Sequence, residues 1–278
     1  MRFSLGCELV YQVTGSATLI LNVEVMRNRA VSIASEHFTV SPVVLAEEHM
    51  AADTGNRFRR LILAEGEHTI RYEAEVEMTA RHEDPAAIGE VPVSELPLEV
   101  LPFLNPSRYC QSDELARFAD REFGALTPGH SRVAAICDWI HDEVDYVSLS
   151  SDTGTTAKDT FTTRSGVCRD FAHLGITFCR ALGIPARFVS SYAWQLEPPD
   201  FHAVFEAYVG DRWYLFDPTR KAALDGLVRI GQGRDAADTA FAIFYGRMKP
   251  KPMRVWIERT DPHAEEPPTT EAVSISAD

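Results

Sequence analysis

Over residues 1–82 the chain runs in short segments, several alternating apolar and polar positions with a period of two: "RFSLGCELVYQV", "ATLILNVEV", "FTVSPVVL", "RFRRLILAEG" and "HTIRYEAEVEMTA". That alternation buries one face of a β-strand. Turn residues part the runs at Gly15-Ser16, Asp53-Thr54-Gly55 and Glu65-Gly66. The pattern predicts an N-terminal antiparallel β-sandwich over 1–82. Residues 83–110 differ, with Pro85, Pro92, Pro97, Pro102 and Pro106 as punctuation. "LPLEVLPFL" is too apolar to lie free in solvent, so this linker is expected to be an ordered crossing segment.

From Ser112 the period lengthens to about 3.6 residues. "SDELARFADREF" predicts a short helix. "TPGHSRVAAICDWIHDEVDY" predicts a longer one, with Thr127 as N-cap, Pro128 at the first helical position and Val133, Ile136, Ile140 and Val144 as its apolar stripe. Cys137 lies beside that stripe and is expected in the core. "YVSLS" predicts a short strand, and the Ser/Thr-rich "SDTGTTAKDTFTTRSG" a connection. Beyond Gly166, residues Phe171, Leu174, Gly175, Phe178 and Leu182 recur at helical spacing until Gly183, a left-handed C-cap, and Pro185. Strands dominate from there to Pro218. The second domain is assigned to residues 111–262, and 263–278 to a disordered tail. The fold class is α+β: a β-sandwich followed by helices packed on an antiparallel sheet.

The chain has 278 residues, 45% hydrophobic and 24% charged, with a formal net charge of −14. Phosphate backbones and anionic lipid repel such a surface, so neither nucleic acid nor membrane is an expected partner. No run approaches the roughly 20 apolar residues that span a bilayer. The Phe3–Gly6 run is too short for a signal-peptide core, although "SLGC" superficially resembles a lipoprotein cleavage site. Five cysteines without CxxC spacing imply free thiols and a cytoplasmic location. The nine histidines are scattered, "HDEVD" at His141–Asp145 reads as a solvated helix turn, and no nucleotide-binding glycine motif occurs. Neither metal nor cofactor is expected.

Cys168 falls in the first turn of the helix after Gly166, and Cys179 in the last. Free N–H groups and the macrodipole at a helix N-terminus stabilise a thiolate and can cradle an oxyanion; the C-terminal end does neither. Cys179 is therefore expected as packing. A nucleophile needs a base, and "DFHAVFEAYVGDRWYLFDPTR" offers one. Gly210-Asp211 is a two-residue hairpin signal. With that loop Val209 pairs with Arg212, Val204 faces Asp217, and His202 becomes a diagonal neighbour of Asp217 on one sheet face. A three-residue loop would set them on opposite faces. Alone, the pair also reads as a strand histidine and a turn-starting aspartate. With a thiol at a helix start added, it is the set nucleophilic catalysis needs. Nδ1–H bonded to Asp217 would leave Nε2 facing the sulfur.

"RSGVCRDFAHL", "CRALGIPAR", "FHAVFEAYVGDRWYLFDPT" and "GRDAADTA" together resemble the bacterial transglutaminase-like cysteine protein superfamily. The likeness is close over Tyr146–Gly246. It is looser over the first strands, which resemble the β-domain that precedes this core in bacterial members. The resemblance implies a papain-like core, with Cys168 as nucleophile, His202 as general base and acid, and Asp217 as orienter. It implies acyl transfer or hydrolysis on an amide of a protein, peptide or small molecule, through a thioester that water or a primary amine resolves. The Cys168 N–H is one expected oxyanion donor. Tyr146, Thr155 and Thr156 are candidates for the second, each with a plain strand or loop role as the alternative. Asp235 is expected to cap a following helix, or with Arg234 to shape the cleft rim. Trp194 reads as packing or as a cleft wall, with "WQLEPPDFH" a loop beside the histidine. Two other readings stay open: an idle scaffold or binding module, and an arylamine-acetyltransferase-like transfer, against which the "GVCRDFA" context argues. No oligomeric state is specified.

Overall fold

In the computed structural model, which describes residues 1–261, 269 and 271–276, the early period-two segments join one antiparallel sheet. Its strands β1 (Arg2–Leu21), β2 (Val31–Ser41), β3 (Ala46–Met50), β4 (Arg57–Leu63) and β5 (Gly66–Met78) lie in the order β2-β5-β1-β4-β3. Strand β1 is central because Phe3, Leu5, Cys7, Leu9, Tyr11 and Val13 share one buried face. "SLGC" is mid-strand. A Cβ on Gly6 would come within 2.5 Å of the Trp256 ring, so only glycine lets that indole lie against β1. Cys7 points into the core, where burial pushes its thiol up to about 11.

After β6 (Arg81–Glu83), residues 84–111 cross the molecule in three 3-10 stretches. The segment is ordered: Leu96 and Val100 pack on Trp213, and Phe103 meets that indole edge-on at 5.3 Å. Then come α1 (Ser112–Phe123), α2 (His130–Glu143), β7 (Asp145–Tyr146), α3 (Ala157–Thr163), β8 (Ser165–Gly166) and α4 (Cys168–Ala181). Strands β9 (Ala186–Ala193), β10 (Phe201–Val209), β11 (Arg212–Phe216) and β12 (Leu227–Gly233) form a second sheet in the order β11-β10-β9-β12.

This sheet is the middle layer. Phe188, Ala203, Phe205 and Ala207 join the helix-side core, whereas Val189, Tyr192, Val204 and Val228 join the core shared with the N-terminal sheet. Gly175 brings α4 close, since a Cβ there would stand 2.9 Å from the end of the Phe205 ring.

Four expectations change. Helix α2 starts at His130 rather than after Thr127, because Gly129 (φ 120°) turns the chain and the His130 N–H goes to the Ile88 carbonyl of the crossing segment. The Ser/Thr-rich connection contains α3, whose cap is Thr156 bonded reciprocally with Asp159. Part of the stretch assigned to the second domain completes the first sheet: β13 (Ala242–Pro250) and β14 (Arg254–Arg259) return to pair with β1, Leu19 facing Phe244 and Cys7 facing Val255. The N-terminal layer is therefore one seven-stranded sheet packed on the core, completed by late sequence that local patterning cannot assign to a distant edge. Finally, part of the expected disordered tail is a buried strand, β15 (Ala272–Ser274), paired with β6. Positions 263–268, 270, 277 and 278 of that tail lie outside the described residues. Among the described residues no helix is long and apolar enough to cross a membrane.

Candidate active site

Cys168 is the first residue of α4, and the start of that helix is built by its neighbours. The Asp170 carboxylate accepts the Val167 N–H at 2.9 Å, and Arg169 closes on Asp170 at 2.9 Å. Asp170 comes so near that a Cβ on Gly166 would lie 2.8 Å from its own Cβ. The run Gly166-Val167-Cys168-Arg169-Asp170 is thus one device. Glycine makes room for the aspartate, the aspartate caps the turn, and the cysteine is left at the helix head. Of the five cysteines only Cys168 is partly exposed. Burial pushes Cys110 up to about 12, and Cys137 and Cys179 well above their ordinary range, so these three read as packing thiols.

The hairpin has the expected two-residue loop, Val209 pairing with Arg212 and Phe205 with Phe216. His202 and Asp217 meet at 2.8 Å, but through Nε2, not Nδ1. The reason is geometric: a diagonal partner lies about 7–8 Å along the sheet, which the outer nitrogen spans and the inner one does not. With Nε2 taken by Asp217, Nδ1 is the ring nitrogen left over, and Cys168 lines the same cavity as His202. Burial opposes charge on His202, but the bonds to Asp217 and Cys168 outweigh it and raise the imidazole from 6.5 to about 10. Burial likewise works against the Asp217 carboxylate, yet His202 and Thr219 hold it below its ordinary value. Thr219 donates twice to Asp217 Oδ1, from N–H at 2.9 Å and hydroxyl at 2.7 Å. Sequence reasoning gave Thr219 no role. The signal was present in Asp217-Pro218-Thr219, since aspartate commonly accepts the N–H two residues on.

Of the oxyanion candidates, only Tyr146 reaches Cys168. Pairing of Tyr146 with Gly166 across β7 and β8 sets it beside the head of α4, near enough for the Cys168 thiol to act on its phenol. Burial, reinforced by that thiol, pushes the phenol up to about 12. Thr155 binds Asp152 within its loop, and Thr156 caps α3. No helix follows Asp235. The chain makes a single turn there and leaves for β13. Asp235 instead accepts N–H groups from Tyr109 (2.8 Å) and Ala237 (2.9 Å), while Arg234 pairs with Asp238. His173 of the "DFAHL" run is held neutral by burial and accepts the Ala236 N–H at 3.1 Å. Asp235 and His173 therefore secure the segment beside the cleft. Trp194 lies away from it, near Phe3 and Gly226.

Cys168 and His202 open into a cavity of about 340 Å³, lined also by Tyr109, Arg169, Asp200, Phe201 and Phe241. Asp200 and Phe201 come from the loop expected beside the histidine. Among the described residues no group of three or more His, Cys, Asp or Glu side chains converges as metal ligands.

A helix head bearing a thiol, set against a sheet that carries a histidine–aspartate pair, defines a papain-like α+β protein. Residues 117–218 match the family model of the transglutaminase-like superfamily, and residues 1–99 that of the bacterial transglutaminase N-terminal domain. A candidate cysteine protease from Cytophaga hutchinsonii, known as a crystal structure, is 42% identical with a TM-score of 0.92, covering 99% of this chain and 98% of that one. The chain belongs to the transglutaminase-like superfamily. An uncharacterized Mycobacterium leprae protein is 32% identical over 149 residues, 49% of this chain and 52% of its own. A Mycobacterium tuberculosis relative is 29% identical over 150 residues, 49% of this chain and 47% of its own. The chain thus spans about half the length of the curated relatives it matches.

Proposed function

We propose that the protein is a cysteine-dependent amidase, peptidase or transglutaminase-like acyltransferase. Cys168 attacks as thiolate and forms a C–S bond to the amide carbon, placing charge on the carbonyl oxygen. The Cys168 N–H and the Tyr146 hydroxyl receive that oxyanion. Collapse breaks the C–N bond while His202 gives its proton to the leaving nitrogen, which leaves a thioester. Neutral His202 then takes a proton from water or a primary amine, whose oxygen or nitrogen displaces the sulfur. Asp217, held by Thr219, keeps the ring turned with Nδ1 toward the sulfur.

The observation that carries this reading is the His202–Asp217 pair, bonded at 2.8 Å in a cavity it shares with Cys168. The proposal includes a reducing, cytoplasmic setting, supported by five free thiols. Profiling with peptide and glutamine-analogue libraries tests it. Turnover should pass through an acyl group mapped to Cys168 by mass spectrometry, and Cys168→Ser should abolish both. Added primary amines separate transamidation from hydrolysis. Turnover that survives Cys168→Ser would refute the proposal.

A further inference from the structure

Beside the cavity of Cys168 and His202 lies a second, of about 330 Å³. Phe241, Ala242 and Met253 wall both. Leu9 and Tyr11 of β1 and Phe244 of β13 help complete it, so its walls come from the N-terminal sheet. The one charged residue lining it, Lys251, pairs its ammonium with Glu67. Phe241, Phe244 and Met253 keep 39%, 46% and 38% of their surface exposed, a local concentration of apolar area that marks binding grooves on soluble proteins. The groove is joined to the candidate chemistry by packing, because Phe201, next to His202 in the chain, packs against Phe241 with the rings tilted and 5.3 Å apart.

We propose that this groove is a specificity subsite which takes a large apolar side chain, of the leucine or phenylalanine kind, from a peptide whose reacting amide lies at Cys168. The proposal rests on the acyl-transfer reading. Three shared walls set the groove directly beside the reacting cavity, within the span of an extended peptide lying across both. Its size falls within the roughly 300–1,000 Å³ of small-molecule pockets. Apart from Lys251 its lining carries no charged residue, so it penalises a charged side chain that would have to shed its water against the apolar walls. The N-terminal sheet then selects substrate and is not a separate module.

The test uses the full chain and two series of electrophilic peptides that alkylate Cys168. Acetyl-tetrapeptide chloromethyl ketones extend one way from the reacting carbon, and iodoacetyl-tetrapeptide amides the other. Each position carries Leu, Phe, Ser or Asp in turn, and every rate is divided by that of iodoacetamide on the same protein. At one position Leu or Phe should label about tenfold or more faster than Ser, the usual range for an apolar pocket, with Asp slower still. Phe244→Ser and Met253→Ser, both at half-exposed positions, should each reduce that preference to below about threefold. Fast iodoacetamide labelling with no preference at any position, or a preference both variants keep, overturns the subsite alone. Failure of iodoacetamide to label Cys168 overturns the nucleophile and the subsite together. A concentration-dependent dimer that Phe244→Ser dissolves assigns the groove to a second copy of the chain and overturns the proposal.

Discussion

At the scale of single residues, the His202–Asp217 bond decides the electrostatics of the site. His202 is raised to about 10 against 6.5 in an unfolded chain, so its contribution to stability is fully present below pH 6.5 and fades as pH climbs through about 10. Asp217 is lowered from 3.8, so its share is present above pH 3.8 and fades as pH falls through the depressed value. In the proposed reaction the same imidazolium protonates the leaving nitrogen, so the alkaline limb of kcat/KM should fall near pH 10. Asp217→Asn should drag that limb toward an ordinary histidine value and cost about 10⁴-fold in kcat, as loss of an orienting carboxylate does elsewhere. Tyr146→Phe removes one of the two proposed oxyanion donors and should lower kcat by about 10²–10³-fold with little change in KM. Steady-state kinetics across pH checks both variants. The choice of ring nitrogen was not legible in the sequence. The register placed the two residues together, but which nitrogen reaches across depends on the diagonal distance.

At the scale of elements, the head of α4 carries its design in five consecutive residues, which is why it was legible. Gly183 ends the helix with φ 79° in the left-handed region, as its position implied. Gly166→Ala would push a methyl group into Asp170 and loosen the turn that presents Cys168. Overpacking of this kind costs about 1–3 kcal/mol, which thermal unfolding would register, along with slower alkylation of Cys168. Helix α3 is masked in the sequence because Ser and Thr dominate its surroundings, although Thr156 followed three residues later by Asp159 is a capping signature. The start of α2 is obscured for the opposite reason, since a tertiary hydrogen bond from the His130 N–H to the Ile88 carbonyl supplants the local cap that Thr127 signals.

At the scale of the whole molecule, the readable parts were those whose partners lie nearby in sequence. The hairpin register and the helix faces belong to that group. The return of β13 and β14 to β1 does not, nor does the docking of β15. A buried network shows what those distant contacts achieve. Glu206, fully buried, holds Arg187 at 2.7 Å and also pairs with Arg229, while the Ser276 hydroxyl donates to Glu206 at 2.9 Å and accepts from both arginines. The last described residues are thereby anchored behind the strand that carries His202. Glu206→Gln leaves two buried guanidinium groups short of a counter-charge and should cost about 3–5 kcal/mol, read from denaturant unfolding. The central claim is that Cys168, His202 and Asp217 act as one unit, and the most direct measurement is the iodoacetamide labelling rate of each cysteine as a function of pH, mapped by mass spectrometry. Cys168 should label alone and fast well below about pH 8, and the Asp217→Asn variant should slow it in that range. Slow, equal labelling of several cysteines, or a Cys168 rate indifferent to Asp217, would contradict the account.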